Sequence, residues 1–520
     1  MPIPQARQQR LLQGTLTLNR TQAAFDTALE HAKEGVLAML SLGEASPAMG
    51  GTVAGFRQNP ALDAEQYRIL ADGNGVFVEA GDVAGAVYAA ATIAQLCAEH
   101  GGQLPYCAID DAPEKPWRGF LFDICRHFFP MRTVKSVVDL LAYYKYNRLH
   151  LHLTEDQGFR MESERFPRLD SVGSFRTSTV KKHADNAGAD GVPHGGYYTK
   201  AELRELVRYA KARGIEIVPE IDMPGHALSI IAAYPELACV NEPAEVATRF
   251  GVTDFSKKLF CAGSERTYDF LFSLLDEALE VFPFEYIHIG GDEAVKSEWK
   301  RCERCQQTMR EHGLANEREL QGYLLNRVIE HLKSRGRKAI VWNDGLCKTL
   351  SQDAVSQYWT PWFLETQTRT TRRVNAGGQA ILSPYLYTYY DYPYAMTPLK
   401  KTYDYRATLR GLRQANEKNI LGVEAAIWTE WVDTEEKLFF NTLPRLAATA
   451  ETGWTARANR GYVGFLQRLK PHYDLYHRLG LTWANNVEQP LSLLRRIQGT
   501  LTYFTRETHA ELFAQNKRNN

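Results

Sequence analysis

YIHIGGDEAVKSEW, residues 286–299, is the most informative stretch of the chain: an apolar strand-like run, two glycines, then two adjacent acids. Successive strand residues point to opposite faces of a sheet. Asp292 and Glu293 therefore share one pocket only if the backbone leaves regular strand geometry, which Gly290 and Gly291 permit because glycine tolerates positive φ. Acids that merely cap a following helix are the plainer alternative. That alternative weakens once other strand ends carry the same kind of residue.

Working outward, the chain after Pro116 alternates short β-rich runs with amphipathic helices. The strand candidates are Trp117–Asp123, Tyr146–Leu153, Ile215–Asp222, Tyr286–Asp292, Lys338–Asn343, Ala354–Trp359, Gln379–Tyr385 and Leu421–Trp428. Helices are predicted at Lys200–Arg213, Tyr268–Phe282, Glu319–Ser334 and Glu435–Thr452. Eight strands with crossover helices predict an α/β fold, a (β/α)₈ TIM barrel. Ahead of it, GTLTL and the runs Gln66–Ala71 and Val76–Ala80 read as strands, and Gln22–Lys33 and Asp82–His100 as helices, a small α+β domain. The Pro-rich segment 110–116 marks the boundary. The expected division is 1–112 for this domain, 113–460 for the barrel and 461–520 for a helical extension that includes Tyr462–Leu479.

Composition excludes some classes. Lys+Arg and Asp+Glu are both 61, so net charge is zero, and no nucleic-acid partner is expected. No run of about 18 apolar residues occurs, so no membrane span is expected. The first residues lack a signal-type apolar core, which makes the cytoplasm the expected compartment. Nine tryptophans and 26 tyrosines supply flat apolar faces. Among eight cysteines only Cys302 and Cys305 are closely spaced, and no second such pair accompanies them. They are expected to be a free or incidental pair, with a local disulfide or metal as the alternative; the reaction is expected to use no metal and no cofactor.

In a barrel of this kind chemistry sits at the C-terminal strand ends. Those ends carry Asp123 and Arg126; Glu155 and Asp156; Glu220, Asp222 and His226; Asp292 and Glu293; Trp342; Trp359; Tyr389 and Asp391; Trp428 and Glu430. Acids and tryptophans on one rim are unlike the branched aliphatic filling of barrel layers.

With these residues at its strand ends, the chain resembles glycoside hydrolase family 20, the β-N-acetylhexosaminidases. The resemblance runs through WRGFLFDICRHF (117–128), NRLHLHLTEDQGFRMES (147–163), GGYYTKAELRELVRYAKARGIEIVPEIDMPGHA (195–227), YIHIGGDEAVKSEW (286–299), IVWND (340–344), YTYYDY (387–392) and AAIWTEWV (425–432). It implies an exo-acting enzyme that removes terminal β-linked GlcNAc or GalNAc from an oligosaccharide or glycoconjugate, with retention, through an oxazolinium ion formed by the substrate's own acetamide. By the same resemblance Glu293 is the acid/base, with a pKa expected to be raised; Asp292 orients the acetamide and Tyr389 donates to its oxygen. Arg118, Trp342, Trp359, Asp391, Trp428 and Glu430 bind the sugar, and Asp156, Asp222 and His226 stand behind Glu293. Glu155, Phe159 and Tyr390 depart from the commoner Asp, Trp and Leu of the family.

Other readings are a family relative of lacto-N-biosidase type or one active on sulfated sugars, a non-catalytic sugar-binding module, and a metal-dependent barrel hydrolase. The last would use His150-x-His152 with His226, His288 and Asp292 as further ligands.

Overall fold

The computed structural model describes residues 1–43, 51–180, 188–250, 258–360, 364–487 and 491–505. Eight parallel strands close into a barrel: β1 (Trp117–Asp123), β2 (Arg148–His152), β3 (Glu216–Glu220), β4 (Tyr286–His288), β5 (Lys338–Trp342), β6 (Val355–Tyr358), β7 (Ala380–Leu382) and β8 (Ile420–Ile427). The expected barrel is present, with every strand falling on its predicted segment. Asp123, His152, Glu220 and His288 pair in register across β1 to β4, so these strand ends lie at one level. Leu149 and Leu151 alternate with His150 and His152, so the leucines join the apolar core while the histidines meet acids of the barrel interior.

Helices cover the barrel, and their starts are written locally. Thr199 and Glu202 form a capping box at the head of Lys200–Lys211, and Asn316 accepts the N–H groups of Arg318 and Glu319 at the head of Glu317–Ser334. The single helix expected over Glu435–Thr452 is two, Glu435–Thr442 and Arg445–Trp454. Pro444 separates them, since proline offers no N–H to continue a helix. Tyr462–Arg478 is helical as read, and residues 506–520 lie outside the described residues.

The N-terminal domain is a curled sheet of Gln8–Phe25, Thr52–Gln58, Gly75–Ala80, Tyr67–Asp72 and Gln103–Asp111, in that spatial order, with the last pairing back onto the first. The helix expected at Gln22–Lys33 is displaced. Ala23, Ala24 and Phe25 pair with Ala54, Gly55 and Phe56 as strand, Phe25 stacks on Phe56, and the helix is Lys33–Ser41. Sheet pairing overrides the local preference there. The alanine-rich helix Val83–Glu99, capped by Asp82, is almost wholly buried between the sheet and the barrel.

That junction carries charge. Arg118, near the start of β1, donates to Glu65 from Nη2 at 2.6 Å and from Nη1 at 3.1 Å, and to the Lys145 carbonyl from Nε at 2.8 Å. Buried Lys145 meets Asp111 at 3.0 Å and the Tyr67 hydroxyl at 2.7 Å. The placement of Arg118 in a sugar site is thereby corrected. It lies five residues before Asp123, about 16 Å along the strand at ~3.3 Å per residue, at the end remote from the acids. Replacing Arg118 with Met strips Glu65 of its counterion, leaving it the Asn147 amide, and is expected to lower unfolding free energy by about 3–5 kcal/mol in denaturant titration while the folded enzyme keeps its KM. Unchanged stability with a raised KM would return Arg118 to the site.

Candidate active site

The turn after β4 sets the site. Gly290 and Gly291 take φ of 66° and 105°, and Glu293 takes 43°, a left-handed conformation that side chains resist. A Cβ on Gly290 would stand 1.5 Å from Asp222 Oδ1, so only glycine fits. The Gly291 N–H donates to that same oxygen at 3.2 Å. The chain is thus turned out of strand geometry, as the two glycines suggested, and the neighbouring acids separate. Asp292 points inward and is largely buried, whereas the Glu293 side chain is 36% exposed. The Glu293 N–H donates to Asp344 Oδ2 at 2.9 Å.

His226 connects the acids. Its Nε2 lies 3.5 Å from Glu293 Oε2 and 3.8 Å from Asp292 Oδ2, and its Nδ1 bonds Glu155 Oε1 at 2.7 Å. Burial alone would lower its pKa, but the Glu155 charge, helped by Asp156 and Asp292, holds it well above the ordinary range. Asp156 lies 3.6 Å from the same nitrogen and accepts the Leu228 N–H at 3.0 Å. Of the two adjacent acids at 155 and 156, Glu155 is the nearer partner of His226. Burial, and then the Asp292 charge, push Asp222 well up. Burial raises Asp292 to about 7 against the pull of His226, with the Asp344, Glu220 and Glu293 charges adding to the rise. Asp292 Oδ1 and Asp222 Oδ2 have no protein partner.

An aromatic wall faces Asp292. Trp342 and Trp428 lie 6.1 Å apart, Tyr389 lies 6.0 Å from Trp428, and Trp359 stacks on Tyr389 at 6.3 Å with planes 11° apart. Trp342 Nε1 donates to Glu220 at 2.7 Å and Trp359 Nε1 to Asp344 Oδ1 at 3.0 Å, so both indoles are held by hydrogen bonds. Burial keeps the Tyr389 phenol protonated, its pKa well above the ordinary value. Burial, then the Glu430 charge, drive Asp391 up; burial also raises Glu430 against the Arg126 charge.

Arg126 occupies the rim in place of Arg118. It pairs with Glu155 at 2.8 Å and Asp123 at 3.4 Å, and its guanidinium carbon sits 4.9 Å from the Trp428 ring centre. The sequence places it just past a strand end and gives it no role. Asp344, within IVWND, carries no sign of its role in the sequence, yet its one carboxylate holds both the Glu293 backbone and the Trp359 indole. Glu424 gives no signal in the sequence, since its role depends on partners from β1, β2 and β6. It accepts from Trp117 Nε1 at 2.9 Å and Gln357 Nε2 at 2.6 Å and bonds His150 Nδ1 at 2.8 Å.

The histidines of the metal-hydrolase reading are engaged elsewhere. His150 Nε2 lies 3.1 Å from Glu220, His288 Nδ1 lies 2.8 Å from it, and His152 bonds both Glu220 and Glu155. These imidazoles belong to a charge lattice inside the barrel, so His150-x-His152 serves acids from neighbouring strands.

Tryptophan walls around carboxylates at the C-terminal mouth of a parallel barrel define a carbohydrate-active barrel enzyme. Residues 116–457 match glycosyl hydrolase family 20, catalytic domain, and residues 3–112 match domain 2 of the same family. The chain belongs to family 20 and is a glycoside hydrolase. It is similar to a beta-hexosaminidase of Akkermansia muciniphila, 33% identical over 454 residues, covering 82% of this chain and 89% of that protein. A beta-hexosaminidase of Porphyromonas gingivalis is 34% identical over 429 residues, or 78% of this chain, which spans about half (53%) of that relative's length. Among solved structures, the exo beta-N-acetylglucosaminidase of Vibrio harveyi in complex with N-acetylglucosamine superposes with a TM-score of 0.81 at 28% identity, over 93% of this chain and 78% of that one.

The raised pKa of Asp292 has a signed consequence. Between its ordinary value near 3.8 and about 7 the folded chain holds more protons at this group than the unfolded chain. Its contribution to stability therefore falls as pH rises through that window. An Asp292→Asn variant lacks the penalty, so its denaturation midpoint relative to the parent is expected to climb from pH 4 to pH 7 and then level off. A difference that is flat in pH would refute the assignment.

Proposed function

We propose that this chain is an exo-acting β-N-acetylhexosaminidase that removes terminal β-linked N-acetylhexosamine from oligosaccharides or glycoconjugates with retention, using the substrate's acetamide as nucleophile. The placement of two adjacent acids at one strand end carries this reading. A retaining enzyme with a protein nucleophile sets its carboxyls about 5 Å apart on opposite sides of the scissile bond. Asp292 and Glu293 leave the same turn, one into the aromatic pocket and one towards solvent. Substrate assistance is the recognised exception for family 20.

The roles follow from the surroundings. Glu293 in its acid form protonates the departing glycosidic oxygen as the acetamide oxygen bonds to the anomeric carbon. Asp292 accepts the acetamide N–H and offsets the positive charge that develops on the ring, an interaction strongest in the transition state. The protonated Tyr389 donates to the acetamide oxygen, and Trp342, Trp359 and Trp428 enclose the methyl group and the sugar face. Water then attacks the anomeric carbon as Glu293 takes its proton. The oxazolinium C–O bond breaks, the acetamide is restored, and configuration is retained. Arg126, with Glu430 and then Asp391 nearby, supplies polar groups for the hydroxyls of one terminal sugar, which favours exo action over release of a disaccharide.

Glu293→Gln is expected to lower kcat/KM by roughly 10²–10⁴-fold on an alkyl N-acetylglucosaminide. The parent should cleave aryl N-acetylglucosaminide or galactosaminide, ignore the unacetylated glucoside, and bind a thiazoline mimic of the cyclised sugar. A trapped sugar–carboxylate ester on the protein would remove the mechanism. Arg126→Met should cost about 10–150-fold in kcat/KM, the worth of a charged hydrogen bond. A loss confined to stability would instead make Arg126 structural.

A further inference from the structure

Beyond the hydrolytic site, four cysteines distant in sequence come together where two barrel loops meet. Cys239 follows the turn Pro235–Leu237 in the loop after β3, and Cys261 lies further along that loop. The Cys261 N–H donates to Leu237 at 2.8 Å, and Ala238 bridges Phe260, which sets the two cysteines side by side. Cys302 sits at the N-cap position of the helix Glu303–Glu311, in the connection after β4, and Cys305 lies in its first turn.

The sulfur geometry is specific. Sγ–Sγ separations are 3.7 Å for Cys239–Cys305, 3.8 Å for Cys261–Cys302 and 3.8 Å for Cys261–Cys305, and all four sulfurs lie within 4.8 Å of one another. A disulfide requires about 2.05 Å, and all four cysteines are free thiols. A tetrahedron built on zinc–sulfur bonds of about 2.3 Å has edges of about 3.8 Å. The surroundings suit a dianionic tetrathiolate centre. Helix Glu303–Glu311 points its positive N-terminal end at the sulfurs, and Arg304 reaches across to the carbonyls of Ala238 and Cys239 at 3.2 Å each. The two loops are also pressed backbone to backbone, for a Cβ on Gly263 would stand 2.3 Å from the Arg304 carbonyl carbon.

We propose that Cys239, Cys261, Cys302 and Cys305 form a structural tetrathiolate zinc site that clamps the loop after β3 to the connection after β4. Binding displaces the four thiol protons and forms four Zn–S bonds with no change of oxidation state. Four protein ligands leave no open position, so the role is structural. The clamp lies behind the hydrolytic machinery. The Phe260 N–H donates to Pro224 at 3.1 Å, two residues before His226, and Trp299 Nε1 donates to the Phe260 carbonyl at 3.0 Å, six residues after Glu293. The sequence hid this because the Cys302-x-x-Cys305 pair is completed by single cysteines from another loop.

The test is elemental analysis of the full chain, purified without chelator or nickel resin and supplied with zinc nitrilotriacetate. About one zinc per chain is expected, released when p-hydroxymercuribenzoate blocks the thiols and 4-(2-pyridylazo)resorcinol reports the metal. Cys302→Ser/Cys305→Ser should fall below about one tenth of that content and melt at lower temperature, while Cys347→Ser, outside the cluster, retains the metal. Should the double variant fail to fold, mercurial release from the parent decides. Absence of bound zinc, zinc retained by the folded double variant, iron with visible absorption, or a mass four hydrogens short from two disulfides would each overturn the proposal. None of these readouts depends on glycosidase activity.

Discussion

Among the described residues, the closest approach that tolerates no side chain is that of Gly290 to Asp222, where a Cβ would fall 1.5 Å from a carboxylate oxygen. It obliges the backbone after β4 to turn, and the turn is what lets two consecutive acids serve one pocket from different directions. Part of the strain is carried by Glu293 itself, at φ 43°, a conformation that costs of order 1–3 kcal/mol in a residue with a side chain. Asp344 helps hold it, accepting the Glu293 N–H with one oxygen and the Trp359 indole with the other. The reactive acid and one wall of the pocket are therefore indexed to a single carboxylate.

Beneath this turn the barrel is filled with compensated charge as well as aliphatic side chains. Glu220 touches His150, His152 and His288 and receives the Trp342 N–H. Although burial works against it, the Glu424 and Glu220 charges raise His150 to about 9, and Glu220 and Glu155 raise His152 to about 10. Removing one member of such a lattice strands the others without water, which is why buried charges are kept in complete sets. The same lattice extends to the rim through buried Glu155, which bonds His152, His226 and Arg126. The orientation of the rim thus follows from interior electrostatics.

Much of this was legible in the residues because it is local. Short β-rich runs alternating with amphipathic helices located all eight strands, and the glycine pair announced the turn. What escaped depends on contacts between distant segments. WRGFLFDICRHF holds two arginines eight residues apart; Arg126 lies past the strand end and Arg118 near its start, so the strand's direction separates a rim cation from one that pairs with Glu65. Residues 22–25 became strand because Ala54–Phe56 lie alongside them. Asp344 and Glu424 look like ordinary acids until their indole partners are seen.

The pairings of Arg118 with Glu65 and of Lys145 with Asp111 make the small domain the floor of the barrel. A gene trimmed at the linker would strip two buried cations of their counterions in one cut and open the underside of the barrel to water. Efforts to pare this chain to a minimal catalyst, or to shuffle its modules, therefore meet a joint that is part of the interior.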